Sequence, residues 1–410
     1  MQNLKGFFAL PLRFWIVAAI AFINAVSFTI LIPILYPYAK QFGLSDFQAS
    51  LLVTGFAASQ FLATPILGRF SDFWGRKPLL VISLLGTVVA NLLASFTPIV
   101  SLLFFARILD GLTGGNNSIV MAIVSDTTTP EERPKAFGLV DAAFSLGFMT
   151  GPAISYFAQI LPPFPGVTPL GMSFFVAATI AAIAAIVTGI FLPETLSQRQ
   201  KLHLSWKIFG LGKILTSVRR PIVGRLFLLS FFSGSTFTIF TFAFQPFFIN
   251  ILGRNAKELA ILFTILGVVG IITQVFAIEA IARRFNLAVV LAVAFAGRGL
   301  SLLGMPLAPS LPLFCLLVVL LIAFSVFPVP LINSIISVQS SDREQGEVLG
   351  INSSYLSIAN AIGPTIAGVL VSFSYTLPFW VSGILTLFTG VFALSIKGIP
   401  GCKKKGLIAR

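Results

Sequence analysis

The chain has 410 residues, of which 57% are hydrophobic and only 10% charged, with a mean hydropathy of +0.99. Soluble domains carry about 25% charged residues, so the composition excludes a water-soluble globule and predicts an all-α membrane protein crossing the bilayer many times. The formal charge of +14 does not point to nucleic acid, because the basic residues gather in short connections between apolar runs, where they set membrane orientation.

The first apolar run, Phe14 to Leu35, follows Lys5 and Arg13. It is longer than the 7–15-residue apolar core of a signal peptide and reads as a retained first span. Twelve spans are expected, at about 20 apolar residues each. The first six run over 14–36, 47–67, 79–97, 100–124, 136–159 and 170–192. The second six run over 223–248, 258–280, 287–307, 312–336, 347–372 and 376–396. Of the 27 Lys and Arg, Lys40, Arg254 and Lys257 fall in outer connections, Arg107 and Arg298 fall within spans, and the other 22 lie on the side of both termini. That side is expected to be cytoplasmic, in a cell (inner) membrane.

The second and third spans flank a short charged turn, Gly68-Arg69-Phe70-Ser71-Asp72-Phe73-Trp74-Gly75-Arg76-Lys77-Pro78. Its basic residues sit at headgroup level, where anionic lipids are expected partners. In the fourth span, Arg107 and Asp110 are three residues apart and share a helix face. Isolated charges at that depth cost about 2.5–3.5 kcal/mol each on insertion scales; a pair reduces the cost. The pair reads either as a protonation switch or as a static fix on helix orientation. Asp141, near the start of the fifth span, reads as a gate contact or an alternative proton site.

After the fourth span comes Thr129-Pro130-Glu131-Glu132-Arg133-Pro134-Lys135-Ala136-Phe137-Gly138, then Gly151-Pro152. After the tenth comes Ser341-Asp342-Arg343-Glu344-Gln345-Gly346-Glu347-Val348-Leu349-Gly350, then Gly363-Pro364. The interval from Gly138 to Gly350 equals the interval from Gly151 to Gly363, so the chain is a parallel duplication. This predicts two pseudo-symmetric six-helix bundles at 1–192 and 221–400. A basic linker at 193–220 joins them, and a basic tail follows at 401–410. In the linker, Trp206, Ile208, Phe209, Leu211, Ile214 and Leu215 alternate with bases. It reads as an amphipathic helix on an anionic leaflet or as a solvated connection. The repeat of the charged turn, around Glu279 to Asn286, is degraded, with Arg283 in the place of Asp72.

The charged turn resembles the G-x-L-x-D-r-x-G-r-k signature of the major facilitator superfamily, through Gly68, Asp72, Gly75, Arg76 and Lys77, with Phe70 for the usual Leu. Arg107 to Gly111 resembles that family's fourth-span R-x-x-q-G, with Asp110 for Gln. Gly147, Gly151 and Pro152 resemble the fifth-span Gly-Pro motif of its antiporters, although Ser155 and Tyr156 replace the closing glycines. Pro193-Glu194-Thr195-Leu196 resembles its sixth-span ending. The resemblance implies a twelve-span transporter similar to drug:proton antiporters, with Asp110 and Arg107 in proton coupling. A cytoplasmic gate is expected at Gly68, Asp72, Gly75, Arg76 and Lys77 of that signature. Asp126, Glu132 and Arg133 read either as part of its charge network or as a solvated loop. Asp72 is expected to meet the unpaired N–H groups at the start of the eleventh span near Glu347–Gly350 when the cavity opens outward.

Polar groups in apolar runs are either cavity residues or helix–helix hydrogen bonds: Asn24, Gln245, Gln274, Arg298, Asn333, Asn352 and Asn360. Arg298 has no acid within a turn and needs a partner on another helix, a backbone carbonyl or an anionic substrate. Phe231, Phe237, Phe240, Phe242 and Phe244, beside Gln245, form an aromatic group suited to a lipophilic solute. Cys315 and Cys402 are not placed to bridge, and His203 is the only histidine. A zinc site or His-based triad is therefore not expected, and no cofactor is. The absence of a P-loop disfavours ATP-driven transport. The expected activity is secondary, proton-coupled export of a small amphipathic or lipophilic molecule by a monomer. The alternatives are a facilitator or importer of the same fold, or a membrane receptor.

Overall fold

The structure, a computed structural model, describes residues 12–129, 132–199, 201, 210–282, 284–308, 310–340 and 344–396. The expected Trp206, Ile208 and Phe209 face, Arg283, and the basic tail with Cys402 lie outside the described residues. Helices α1 to α8 are Leu12–Thr29, Leu35–Gln41, Asp46–Trp74, Arg76–Phe96, Val100–Gly114, Asn117–Thr127, Arg133–Ala158 and Gly171–Phe191. Helix α9 is Leu211–Ser217. Helices α10 to α12 are Val223–Asn250, Ala256–Ile272 and Ile278–Ala282; α13 to α17 are Leu287–Gly304, Leu311–Ser325, Pro328–Gln339, Gln345–Phe373 and Leu377–Leu394. Among the described residues there is no strand, as expected where a backbone in lipid must satisfy its own hydrogen bonds.

Among the described residues, ten stretches are long and apolar enough to cross a membrane. The places of the first and fourth expected spans are taken by α1, ending before Pro33, and by the pair α5 and α6. The break between α5 and α6 at Gly115-Asn116 frees backbone groups, and side chains take them up. Gln60 Nε2 donates to the Gly114 carbonyl at 2.9 Å and Ser83 Oγ to the Thr113 carbonyl; beside them, Asn24 Nδ2 holds the Asn116 side chain through its Oδ1 at 3.1 Å. The expected eighth span contains a π-helical turn, Thr273–Ala277, and the tenth is interrupted before Pro328.

The chain forms two compact units. Unit 1 comprises Met1–Gly43, Gly55–Phe209 and Ala256–Thr264; unit 2 comprises Leu44–Thr54, Gly210–Asn255 and Ile265–Arg410. In unit 1, α1 packs along α7 and α4 along α8; in unit 2, α10 packs along α16 and α13 along α17. The duplication extends to single atoms. Thr29 Oγ1 donates to the Gly147 carbonyl at 3.2 Å. Thr238 Oγ1 donates to the carbonyl of Ala359, the repeat counterpart of Gly147, also at 3.2 Å. A Cβ on Gly151 would run into Thr29 Oγ1, and one on its repeat Gly363 into Thr238 Oγ1. Lipid supplies no hydrophobic drive between helices, so association relies on such close small-residue packing and hydrogen bonds.

Unit 1 has a core of Val17, Ile20, Leu80, Leu84, Ile119 and Ile123; unit 2 has one of Leu226, Phe227, Leu291, Phe295, Ile332 and Ile335. The short α9 belongs to the second of these. Ile214 is 5% exposed within that core, and Tyr355 Oη donates to the Ile214 carbonyl at 2.7 Å. The Tyr355 ring stacks on Phe227 at 5.3 Å. Leu215, one residue on, is exposed.

Candidate functional site

The charged turn is built where α3 ends at Trp74 and α4 begins at Arg76. Gly75 joins them with φ +117°, a backbone conformation that L residues avoid. Four N–H groups at a helix start lack intrahelical partners and attract negative charge. Here the acceptor is Glu194, 118 residues away from Arg76. Its Oε1 accepts from Arg76 N at 3.0 Å, Thr195 N at 2.9 Å and Leu196 N at 3.0 Å; its Oε2 accepts from Lys77 N at 3.3 Å. A Cβ on Gly75 would collide with that carboxylate. The sequence marks Glu194 only as part of a motif; its capping role comes from the fold.

With its backbone held, Arg76 points its guanidinium at two carboxylates, Asp72 at 2.6 Å and Asp126 at 2.9 Å, and donates to Ser71 Oγ at 2.6 Å. Arg76 is buried. Of the other expected gate residues, Glu132 accepts from Thr129 N at 3.3 Å, and Arg133 donates to the Ser125 carbonyl at 3.1 Å. Both tie the α6–α7 connection rather than the ion triad. Gly68 approaches Ser118. Gly147, Gly151 and Pro152 lie on α7, whose glycines meet α1; Pro152 is buried within the helix.

Deeper in unit 1, Arg107 Nη1 donates to Asp110 Oδ2 at 2.6 Å. The two residues are 3% and 6% exposed. The guanidinium lies 4.5 Å from the centroid of the Phe56 ring. Asn91 Nδ2 donates to the Thr87 carbonyl at 2.9 Å and reaches Asp110 Oδ1 at 3.5 Å. Spacing in the sequence marks neither Asn91 nor Phe56 as a neighbour of the pair, although an Asn within the apolar third run is a signal of the same kind as Asn24. Gly111 lets α5 press against the Phe56 carbonyl and Ser59. Chemically, the pair is a titratable carboxylate with a fixed counter-ion and an amide neighbour, held in an apolar span. Asp141 is exposed on α7.

In unit 2, Arg298 is 2% exposed and is held by α10. It donates to Ser233 Oγ at 3.2 Å, the Ser233 carbonyl at 2.9 Å and Thr236 Oγ1 at 2.8 Å. Asn352 Nδ2 donates to Asn333 Oδ1 at 2.7 Å. Gln274 and Asn360 are exposed and Gln245 is buried. Phe240 and Phe244 are buried in a stack that takes in Phe314, whose ring lies 5.9 Å from that of Phe244, and Phe379, 6.3 Å from Phe240. Among the described residues no cluster of His, Cys, Asp or Glu suits a metal ion.

Two units of duplicated helix pairs, apolar along their spans and carrying buried charges at depth, define an integral multispanning membrane transporter. The Major Facilitator Superfamily profile matches residues 17–277 and 226–405, and the chain belongs to that superfamily. It is similar to multidrug resistance protein 2 of Bacillus subtilis (strain 168), at 28% identity over 89% of this chain and 90% of that one. It is also similar to the class B tetracycline resistance protein of Escherichia coli, at 25% identity over 89% of each chain. The solved structure of a bacterial homolog to the human lysosomal transporter Spinster, inward-facing and unoccupied, has a TM-score of 0.76. Its identity is 15% over 93% of this chain and 94% of that chain; this likeness concerns the fold alone.

Proposed function

We propose that the chain is a proton-coupled secondary transporter that exports a small amphipathic or lipophilic solute by alternating access, in the manner of drug:proton antiporters. The observation that carries this reading is the buried Arg107–Asp110 pair inside an apolar helix. Ionisable groups at that depth are costly and mark ion or substrate pathways. The names of the relatives, resistance proteins for multiple drugs and for tetracycline, support a solute of this class. Protonation of Asp110 releases Arg107, and a carboxylate that meets each side of the membrane in turn links proton movement to solute movement. Asp141 is the alternative carrier. The Asp72–Arg76–Asp126 triad, held in register by Glu194, acts as the inner gate. Asn24, Gln245, Gln274, Asn333 and Asn360 supply polar contacts to solute or to neighbouring helices. The protein works as a monomer in the cell membrane with both termini cytoplasmic and its basic connections on anionic lipid.

The test is flux of ethidium by purified protein in liposomes, with and without a pH gradient. Accumulation that follows the gradient supports the reading; flux indifferent to pH makes the protein a facilitator, and no flux of any probe removes transport of this class.

A further inference from the structure

Arg298 stands on α13, eleven residues from its start at Leu287, about 16 Å along the helix axis. A buried charge ordinarily has a counter-ion, and Arg107 has one. Among the described residues, no Asp or Glu is ion-paired with Arg298; unit 2's acids outside the helices that surround it are Asp46, Glu279 and Glu344. Helices Val223–Asn250, Leu287–Gly304, Leu311–Ser325, Pro328–Gln339 and Leu377–Leu394 contain no Asp or Glu, and Gln345–Phe373 has only Glu347 in its first turn. In the duplication, the place of Asp110 is taken by Ile322. The acceptors that hold the guanidinium, two hydroxyls and one carbonyl, are all neutral. Its Nε is buried with no hydrogen-bond partner, as are Ser230 Oγ and Ser235 Oγ on α10. The Phe237 ring lies 5.5 Å from the guanidinium carbon.

We propose that Arg298 and the hydroxyl face of α10 form a binding site for an organic monoanion, a carboxylate or sulfonate on an apolar body. A planar guanidinium takes a carboxylate through two parallel N–H groups. The vacant Nε–H supplies one, and an Nη–H now held by a rotatable hydroxyl supplies the other. Ser233 Oγ remains as a donor to the anion, the Thr236 hydroxyl stays bonded to the Phe232 carbonyl at 2.9 Å, and Phe237 flanks the apolar part. The inference rests on the transport reading only in treating the anion as a solute; the binding itself is independent of proton coupling.

Equilibrium binding of radiolabelled benzoate, and in parallel of the lipophilic cation tetraphenylphosphonium, to purified full-length protein tests this. Wild-type protein is expected to bind benzoate saturably. Arg298→Gln is expected to lose at least about tenfold more affinity for benzoate than for the cation. Ser233→Asp, which places a carboxylate beside Nη1, is expected to displace benzoate while keeping the ion satisfied; it carries the test if Arg298→Gln does not fold. No saturable benzoate binding by wild type, benzoate binding unchanged in both folded variants, or equal weakening of both probes would overturn the site and leave Arg298 a pin between α10 and α13. Benzoate binding without gradient-driven ethidium flux supports the site and removes the export reading; the opposite pair of results does the reverse.

Discussion

Replacing Asp110 with Asn tests proton coupling most directly. The Asp110 carboxylate lies 2.6 Å from Arg107 Nη1, and both residues are buried. Breaking a buried ion pair costs about 3–5 kcal/mol, because the surviving charge is left unpaired. Asn keeps an acceptor oxygen near Arg107, so the loss is expected at the lower end, about 3 kcal/mol, leaving a folded but less stable protein. The effect on transport is of another kind. Each coupled proton makes about 1.4 kcal/mol available per pH unit, which is a tenfold solute gradient. Without a titrating group at 110, that accumulation is expected to vanish, while exchange of labelled for unlabelled ethidium across the same liposomes persists. The assay is ethidium accumulation under an imposed one-unit pH gradient, on protein shown to be monodisperse. An Asp110→Asn protein that still concentrates ethidium about tenfold refutes the assignment and moves the carrier to Asp141.

Arg107→Lys keeps the charge but loses the planar fork and the fit over Phe56; gradient-driven ethidium flux is expected to fall at least about tenfold, and wild-type rates would show that charge alone suffices. Gly75→Ala forces a side chain into a glycine-only backbone region and against Glu194, a destabilisation on the order of 2–3 kcal/mol. Thermal unfolding in detergent checks it, and a midpoint equal to wild type would remove Glu194 from its capping role. Tyr355→Phe keeps the stack on Phe227 but removes one of the two hydroxyls that donate to the Ile214 carbonyl, leaving Ser217 Oγ at 2.6 Å, and costs about 1 kcal/mol locally. Hydrogen exchange across 210–217 should then rise roughly fivefold; unchanged protection would mean α9 is held by other contacts. A cysteine at Ser205, after replacement of Cys315 and Cys402, should react with an impermeant thiol reagent only in opened cells; labelling of intact cells would invert the topology.

The sequence alone determined what depends on neighbours along the chain. Apolar runs of fixed length set the spans, because a bilayer demands about 20 apolar residues per helix. The i,i+3 spacing already brought Arg107 and Asp110 onto one face, and the structure joins them. The constant interval of the duplication placed Gly151 and Gly363 in equivalent positions, and each meets a threonine hydroxyl. Tertiary structure decided everything that depends on how helices are rotated and set in depth against one another. It brought Glu194 to Arg76 across 118 residues and Arg298 to Ser233 across 65. It drew Phe240 into an aromatic stack whose partners sit on other helices. It broke the fourth span at Gly115-Asn116, where Gln60, Ser83 and Asn24 happen to reach the freed backbone and Asn116. A hydropathy pattern fixes which residues meet lipid or protein; it carries no term for which polar atom on a second helix arrives within hydrogen-bond reach. That distance decides whether a buried polar group is a cap, a pin or a site.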